Sequence, residues 1–232
     1  MSNLHRLLFL ACLFLWACSS PVDSNSAWVI HDPDLELELI AQQPDIRTPI
    51  GLVIDREDAL YVIESHTHTP PEDYQGPAFD RIKKGLDEDG DGLPDRWEIF
   101  ADSIEDGMNL CFVEDVLHLI TKDQLIALPD QDQNHQADEK RILVEMTQPA
   151  EVYDHAALLG IAYGQDGWIY ASRGNVGGKQ WKITAADGSS IEGYGDGGNV
   201  FRCRVDGSGM RKSQPAFGIP LICALRQKGD CC

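Results

Sequence analysis

Two aspartate-rich loops, spaced 43 residues apart, constrain this chain more than any other feature of its sequence. The first begins at Asp87 and the second at Asp130, and Asp95 and Asp138 repeat the spacing. Short apolar segments lie on both sides of each loop, so each loop is expected to join two strands of a hairpin. A period of roughly 40 to 50 residues, with four short strands per unit, is typical of β-propeller blades. The alternative is a β-sandwich in which the spacing is coincidental.

Further hairpins support the propeller interpretation. Apolar segments flank short polar turns at 50–55 and 59–63, at 110–113 and 116–120, and at 158–163 and 168–172. The last turn contains Asp-Gly, a strong turn signal, and residues 199–207 begin another strand and turn. We therefore predict an all-β fold, an incomplete β-propeller of about three blades over residues 32–217, because closed propellers have roughly four to eight blades.

The first aspartate loop matches the twelve-position calcium loop. Acidic residues occupy positions one, three, five, nine and twelve, and Gly92 occupies position six. Calcium takes six to eight hard oxygen ligands, which this spacing wraps around one ion, and position seven contributes a backbone carbonyl. The predicted ligands are Asp87, Asp89, Asp91, Leu93, Asp95 and Glu98. An acidic turn without an ion is the alternative.

The second loop repeats the pattern less completely. Its predicted ligands are Asp130, Asp132, Asn134 and Asp138. His135 replaces the glycine of position six, and Arg141 replaces the acid of position twelve. The loop therefore predicts weaker calcium binding, and a vestigial loop held by its own hydrogen bonds is the alternative.

A third group of metal-binding residue types follows the segment 59–63. It consists of Glu64, His66, His68 and Asp73. The two histidines, two positions apart on an extended chain, would share one face. A polar loop without a metal remains the favoured interpretation of this segment.

The charge balance restricts the partners of the chain. With 38 acidic and 19 basic residues, the formal net charge is -19. Nucleic acids demand a basic face, so the sequence predicts no nucleic-acid partner. Divalent cations or solubility are the expected uses of so much negative charge.

The N-terminal segment indicates export. Residues 7–16 form an apolar run of signal-peptide length that is too short to span a bilayer. The end of this run and the two residues after it, Leu15-Trp16-Ala17-Cys18, resemble a bacterial lipobox. We interpret 1–18 as a signal peptide with lipidation at Cys18 and 19–31 as a polar tether. The expected location is a membrane, by a lipid anchor, facing the periplasm or the cell surface.

A candidate catalytic segment spans residues 154–180, DHAALLGIAYGQDGWIYASRGNVGGKQ. On spacing alone, a histidine before a strand is more often structural than catalytic. The segment nevertheless resembles the substrate-base region of soluble quinoprotein glucose dehydrogenases. That resemblance implies pyrroloquinoline quinone as cofactor and His155 as the base that takes a hydroxyl proton. It also implies Asn175 and Gln180 as catalytic residues, with His155 and Gln180 binding the cofactor. Asn175 stands where the family has an aspartate, which would orient the histidine better.

The chain also resembles the membrane-bound dehydrogenase propellers of planctomycete-type bacteria. The resemblance rests on TPIGLVIDREDALYVIES, DEDGDGLPDRWEIFAD, DGWIYASRGN and GNVFRCRVDGSGM and covers roughly residues 32–217. It implies a dehydrogenase acting on sugars or alcohols, with a cytochrome c as a possible electron acceptor. The alternative is a non-enzymatic calcium-binding propeller that recognises surface glycans or proteins.

The last residues, 218–232, break the strand pattern and end in paired cysteines. We interpret this tail as an aberrant, out-of-frame segment at the end of a truncated N-terminal fragment. The expectation that follows is that the chain by itself lacks dehydrogenase activity.

Overall fold

The computed structural model describes residues 31–32, 34, 38–149, 156–175, 177–195 and 197–215. Within these ranges the chain is all-β, and none of the described residues belongs to a helix able to cross a membrane. The strands are β1 (Pro49–Ile54), β2 (Leu60–Glu64), β3 (Asp80–Leu86), β4 (Arg96–Ile104), β5 (Gly107–Val113), β6 (Val116–Thr121), β7 (Gln124–Leu128), β8 (Arg141–Gln148), β9 (Leu158–Tyr163), β10 (Ile169–Arg173), β11 (Gln180–Ala185), β12 (Ser190–Tyr194), β13 (Asn199–Cys203) and β14 (Arg211–Pro215).

The strands form three antiparallel blades, which confirms the prediction of an all-β, incomplete propeller. Blade 1 is β1-β2-β3-β4, and blade 2 contains β5-β6-β7-β8 in the same consecutive order. Blade 3 is β9-β10-β13-β14. The three hairpins predicted from the apolar segments are β1–β2, β5–β6 and β9–β10, with every strand paired to its expected neighbour. Both aspartate loops join hairpin strands, β3 to β4 and β7 to β8.

A hairpin inserted into blade 3 is the main difference from the prediction. β11 and β12 lie between β10 and β13 in the chain, but β11 pairs with β8, so the sheet of blade 2 has six strands. Residues 174–180 are therefore the connection into this hairpin. The turn contains Asp187-Gly188, and Gly188 has a φ of 81°. Asp-Gly between alternating apolar residues is a hairpin signal, so the sequence contained the information to predict the hairpin but not its partner.

Burial of apolar side chains between adjacent blades forms the core. Blade 2 uses both of its faces, because alternate residues of a strand point to opposite sides of the sheet. Leu117, Leu119 and Leu128 pack towards blade 1, against residues that include Ile63 and Phe100. On the opposite face a second cluster joins blade 2, blade 3 and β11; its largest members include Ile120, Leu125, Leu158, Trp181 and Phe201.

The first strand of blade 1 leaves one apolar face open. Ile50, Leu52 and Ile54 alternate along β1 and have exposed fractions of 43%, 59% and 50%. Val53, between them, instead packs against the cluster shared with blade 2. Leu110 on β5, the first strand of blade 2, is buried against blade 1. Within the described residues, β1 has no blade on its other side, as expected of an incomplete propeller.

A buried carboxylate ties blade 1 to the start of blade 2. Asp80, the first residue of β3, is fully buried. Its Oδ1 accepts hydrogen bonds from the backbone N–H groups of His66 at 2.5 Å and Thr67 at 2.8 Å, and its Oδ2 accepts from Gly107 at 2.9 Å. These three hydrogen bonds replace the water molecules that the charged carboxylate loses when it is buried.

We predict that Asp80→Ala lowers the free energy of unfolding by about 3 kcal/mol or more, because it leaves three buried N–H groups without an acceptor. Asp80→Asn should fall between wild type and alanine, since an amide offers one acceptor oxygen where a carboxylate offers two. Urea denaturation measures the change. The control is Asp102→Ala, which removes a half-exposed carboxylate that pairs with Arg81 and should change stability by less than about 1 kcal/mol. Equal losses for Asp80→Ala and the control would contradict the assignment.

Candidate metal centre

The first aspartate loop gathers carboxylates at the end of the β3–β4 hairpin. Oxygen atoms of Asp87, Asp89 and Asp95 all lie within 4.8 Å of one another, and the three side chains are exposed. Like charges at this distance repel, and carboxylate oxygens are the ligands that calcium prefers. The cluster therefore has the chemistry of a divalent cation site.

Backbone N–H groups of the loop itself hold these carboxylates. Asp87 accepts hydrogen bonds from Gly90 at 2.7 Å and from Gly92 at 2.8 Å, and Asp95 accepts one from Glu88 at 2.7 Å. The backbone turns with φ values of 79° at Gly90 and 91° at Gly92, a conformation that glycine adopts without steric strain. A backbone hydrogen bond from Asp95 to the carbonyl of Leu86 closes the loop at 2.8 Å.

The second loop repeats this hydrogen-bond pattern 43 residues later. Asp130 accepts from His135 at 3.1 Å, as Asp87 does from Gly92, and Asp138 accepts from Gln131 at 2.6 Å, as Asp95 does from Glu88. The closing bond, from Asp138 to the carbonyl of Pro129, again measures 2.8 Å. Asp130, Asp132 and Asp138 also bring their oxygens within 4.8 Å of one another. The repeat inferred from spacing is therefore a repeat of backbone structure.

The second loop keeps this backbone without the glycines. Gln133 and His135 have φ values of 57° and 68° where the first loop has Gly90 and Gly92. Side chains rarely adopt this region, and each such residue costs about 1–2 kcal/mol relative to an ordinary conformation. The hydrogen bonds that Asp130 accepts from this turn help to hold it in place.

Some predicted ligands lie outside the two carboxylate clusters. The carboxylate of Asp91 accepts a hydrogen bond from the N–H of Leu93 at 2.8 Å, and Asn134 accepts one from Gln136 at 2.9 Å. Glu98, on β4, forms an ion pair with Arg96, which also pairs with Glu88. The structure does not bring Glu98 to Asp87, so its role as the twelfth-position ligand stays a prediction.

The second loop also joins two blades, which the sequence did not indicate. The N–H of Ala137 donates to the carbonyl of Phe100 on β4 at 2.8 Å. Lys140 Nζ donates to the carbonyl oxygens of Asp102 and Ser103, each at 2.6 Å. Lys84 on β3 contacts His135, with 3.1 Å between Nζ and Nδ1. The shape of this loop is therefore coupled to the packing of blade 2 on blade 1.

In the group near Glu64, the side chains of Glu64 and His66 form contacts inside the protein. His66 is buried, and its Nδ1 is bonded to the hydroxyl of Tyr74. Glu64 is also buried; it accepts a hydrogen bond from the N–H of Arg47 at 2.7 Å and pairs with Lys83 at 3.2 Å. His68 and Asp73 do not converge with them as the loop aspartates do. The role of this group stays a prediction.

Two of the three candidate catalytic residues lie within the described structure. His155 lies outside the described residues, as does Cys18. Asn175 is exposed after β10, and its Oδ1 accepts a hydrogen bond from the N–H of Gly177 at 2.8 Å. Gln180 is exposed at the start of β11. Within the described residues, Asn175 and Gln180 form no enclosed quinone site, and we derive no catalytic step through one.

Comparisons with known proteins gave one family match and several weak similarities to solved structures. A family described as a domain of unknown function, DUF7133, matches residues 20–218. Among solved structures, the chain is similar to a gluconolactonase from Xanthomonas campestris (15% identity, TM-score 0.45, covering 72% of this chain and 57% of that chain). It is also similar to the pyrroloquinoline quinone-bound form of an aldose sugar dehydrogenase from Streptomyces coelicolor (10% identity, TM-score 0.41, covering 79% and 69%) and to a nidogen–laminin complex (13% identity, TM-score 0.31, covering 60% of each).

No curated protein sequence matches the chain. The chain spans 57% of the length of the gluconolactonase, so the activity of a whole protein is a matter for proposal.

We predict that Asp87 titrates below the ordinary aspartate value of 3.8, because the N–H groups of Gly92 and then Gly90 lower its pKa. A carboxylate whose folded pKa is depressed stabilises the fold above its unfolded pKa, and that contribution is lost as the pH falls through the folded pKa. Carbon-detected NMR on calcium-free protein measures the pKa. As the pH falls below 3.8, the free energy of unfolding of Asp87→Asn should decrease less than that of the wild type. The control, Glu192→Gln on β12, should keep the wild-type acid dependence. An Asp87 pKa at or above its ordinary value would contradict the loop geometry.

Proposed function

The chain belongs to the family of domains of unknown function DUF7133, and from this premise we propose that it is a calcium-binding propeller domain of an exported dehydrogenase that acts on sugars or alcohols. The observation that carries the calcium part is the convergence of three aspartates in each of two loops with the same backbone. The dehydrogenase part is supported by the sequence resemblance of residues 154–180.

Calcium would offset repulsion that the loops otherwise retain. Asp87, Asp89 and Asp95 form an exposed cluster in a chain whose formal net charge is -19. A divalent ion among these oxygens replaces repulsion with attraction and fixes the hairpin end. A second calcium ion, bound in the second loop, would also stabilise the contacts of Ala137 and Lys140 with blade 1. Binding there should be weaker, because Asn134 replaces an acid and Arg141 occupies position twelve.

The catalytic part of the proposal depends on His155. A neutral histidine is a suitable general base near neutral pH, and it would take the hydroxyl proton of a sugar or alcohol. Pyrroloquinoline quinone, when bound, would accept the hydride. Export through residues 1–18, with a lipid on Cys18, would place the domain at a membrane facing the periplasm or cell surface, where a cytochrome c is a suitable electron acceptor.

The competing proposal is a non-enzymatic calcium-binding propeller that recognises surface glycans or proteins. The exposed amide of Asn175 and the capping bond it forms with Gly177 are the observations that favour it, because an amide does not orient a protonated histidine as a carboxylate does. Both proposals require calcium, and they differ in whether turnover occurs.

We predict that calcium raises the melting temperature of chelator-stripped protein. Binding to the native state stabilises it by RT ln(1 + [L]/Kd), about 2.7 kcal/mol at a hundredfold excess over Kd. Asp87→Asn combined with Asp89→Asn should remove most of this gain, whereas Asp130→Asn should remove a smaller part.

The matched control for this experiment is Glu192→Gln, which also removes an exposed carboxylate but lies on β12, outside both loops. It should retain the full calcium response. A melting temperature that millimolar calcium does not change in the stripped wild type would refute the calcium proposal.

We predict no turnover when the chain is mixed with pyrroloquinoline quinone, calcium, a dye acceptor and a panel of sugars and alcohols. The described residues form three blades, fewer than the roughly four to eight of a closed propeller, whereas catalysis needs base, cofactor and substrate held with reacting atoms about 3–3.5 Å apart. Turnover that His155→Ala abolishes would contradict this expectation and establish the enzyme. If a longer protein that contains this domain also binds calcium without turnover, the recognition function is favoured.

A further inference from the structure

A histidine on blade 2 buries one ring nitrogen without a hydrogen-bond partner. His118 on β6 has an exposed fraction of 2%. Val116 and Ile120, on the same face of β6, belong to the cluster that joins blade 2 to blade 3. The Nε2 atom of His118 is buried, and no residue of the described structure forms a hydrogen bond with it. Such atoms are rare, because burial removes their hydration and nothing replaces it.

Three other buried polar atoms share this property but differ in chemistry. The Nε atom of Arg81 and the Nε1 atom of Trp181 carry hydrogens and have no lone pair to offer a ligand. The Nε2 atom of His66 lies 3.7 Å from a carboxylate oxygen of Glu64. His118 therefore contributes the unpartnered buried atom that is best suited to bind a Lewis acid.

The other ring nitrogen of His118 determines which tautomer is present. Its Nδ1 lies 3.0 Å from the carbonyl oxygen of Val116. A carbonyl oxygen only accepts, so Nδ1 carries the hydrogen and Nε2 has a free lone pair. Histidines that bind metals almost always donate their second N–H in this way, often to a backbone carbonyl. Burial also lowers the pKa of His118, which favours the neutral ring that a metal requires.

A thiol lies directly opposite this imidazole. In the β5–β6 hairpin Cys111 pairs with His118, and opposite residues share one face with Cβ atoms about 4.5–5.5 Å apart. The thiol of Cys111 donates to the carbonyl oxygen of Phe112 at 3.4 Å, which leaves the sulfur lone pairs available. Cys111 is half-buried, so solvent reaches this side of the pair.

The surroundings of this pair favour a soft ion with few ligands. Metal bonds to nitrogen and sulfur are about 2.0–2.3 Å long. An ion in line between Nε2 and Sγ therefore needs these atoms about 4 Å apart, close to ordinary contact distance, and no cavity. Val116, Ile120 and Ala127 surround the pair with apolar groups. Calcium and magnesium require six or more oxygen ligands, and structural zinc requires four ligands.

We propose that Cys111 and His118 together bind one monovalent copper ion. Thiolate and imidazole ligands suit copper(I), which is stable with two ligands in a line. On binding, Cys111 loses its thiol proton to solvent and forms the Sγ–copper bond, while the lone pair of His118 Nε2 forms the second bond. No oxidation state changes, and the charges of thiolate and copper(I) cancel, as an apolar environment requires. This site is independent of the calcium loops and of dehydrogenase activity.

Alkylation of the full chain tests the proposal residue by residue. The reduced protein is treated with iodoacetamide without oxygen, with and without copper(I) buffered by bicinchoninate, and each cysteine is quantified by mass spectrometry. Copper(I) should slow alkylation of Cys111 at least about tenfold, because the thiolate is the reactive species. Cys203 is the internal control, since it is buried opposite Ile169, and its rate should not change. An unchanged rate at Cys111 would overturn the proposal.

His118→Leu separates the metal site from the fold. The variant should lose the protection of Cys111 by copper(I). Its melting temperature without copper should not fall, because an apolar side chain replaces an unsatisfied buried polar group. His31→Leu, which removes an exposed imidazole outside the blades, is the matched control and should keep the protection. Protection that survives in His118→Leu would overturn the role of the histidine.

A measurement on the wild type keeps the test valid if His118→Leu folds poorly. In ¹⁵N NMR spectra of histidine-labelled protein, copper(I) should shift the Nε2 resonance of His118 and leave its Nδ1 resonance that of a protonated nitrogen. Cys111→Ser, which changes one atom, should abolish the shift. A His118 Nε2 resonance that copper(I) does not move in the wild type would refute the site.

Discussion

Burial of sheet faces between neighbouring blades is the constraint on which the rest of this structure depends. A four-stranded sheet has two faces, and without helices each face is protected from water only by another sheet. Blade 2 satisfies this requirement on both sides, with Leu119 packed towards blade 1 and Leu125 towards blade 3. Blade 1 satisfies it on one side and exposes Leu52 on the other. Both aspartate loops lie at the ends of hairpins, β3–β4 and β7–β8, whose positions this packing determines.

The chain holds carboxylates in two physically different ways. Asp80 is fully buried and accepts three backbone N–H bonds, which compensate for lost hydration and fix the start of blade 2. Asp87 and Asp130 are less buried than Asp80. Each accepts hydrogen bonds from the backbone of a tight turn and lies close to two other aspartates. The hydrogen bonds to Asp80 compensate the charge of its carboxylate. The clustered aspartates of the two loops still repel one another, and a bound cation would remove that repulsion. The same residue type therefore serves as a structural tie in one place and as a candidate metal ligand in another.

The second aspartate loop links the candidate metal centre to the space between the blades. Its backbone contacts β4 through Ala137, and the side chain of His135 contacts Lys84 on β3. His135 adopts a φ of 68°, at the position where the first loop has glycine. Its side chain thus compensates in part for an unfavourable backbone conformation by contacting blade 1. The first loop has no equivalent, since Gly92 has no side chain to extend.

The sequence by itself determined the all-β class, the β1–β2, β5–β6 and β9–β10 hairpins, and the repeat of Asp87 at Asp130. These features are local: alternation of apolar residues, turn residues and loop spacing act within a few tens of residues. Only the tertiary structure decided that the β11–β12 hairpin joins β8 and that Asp80 accepts a bond from Gly107. It also decided that Lys84 meets His135, 51 residues away. Such contacts depend on which sheet faces pack together, and several pairings satisfy the same local pattern, so the choice between them is made by the burial of the whole assembly.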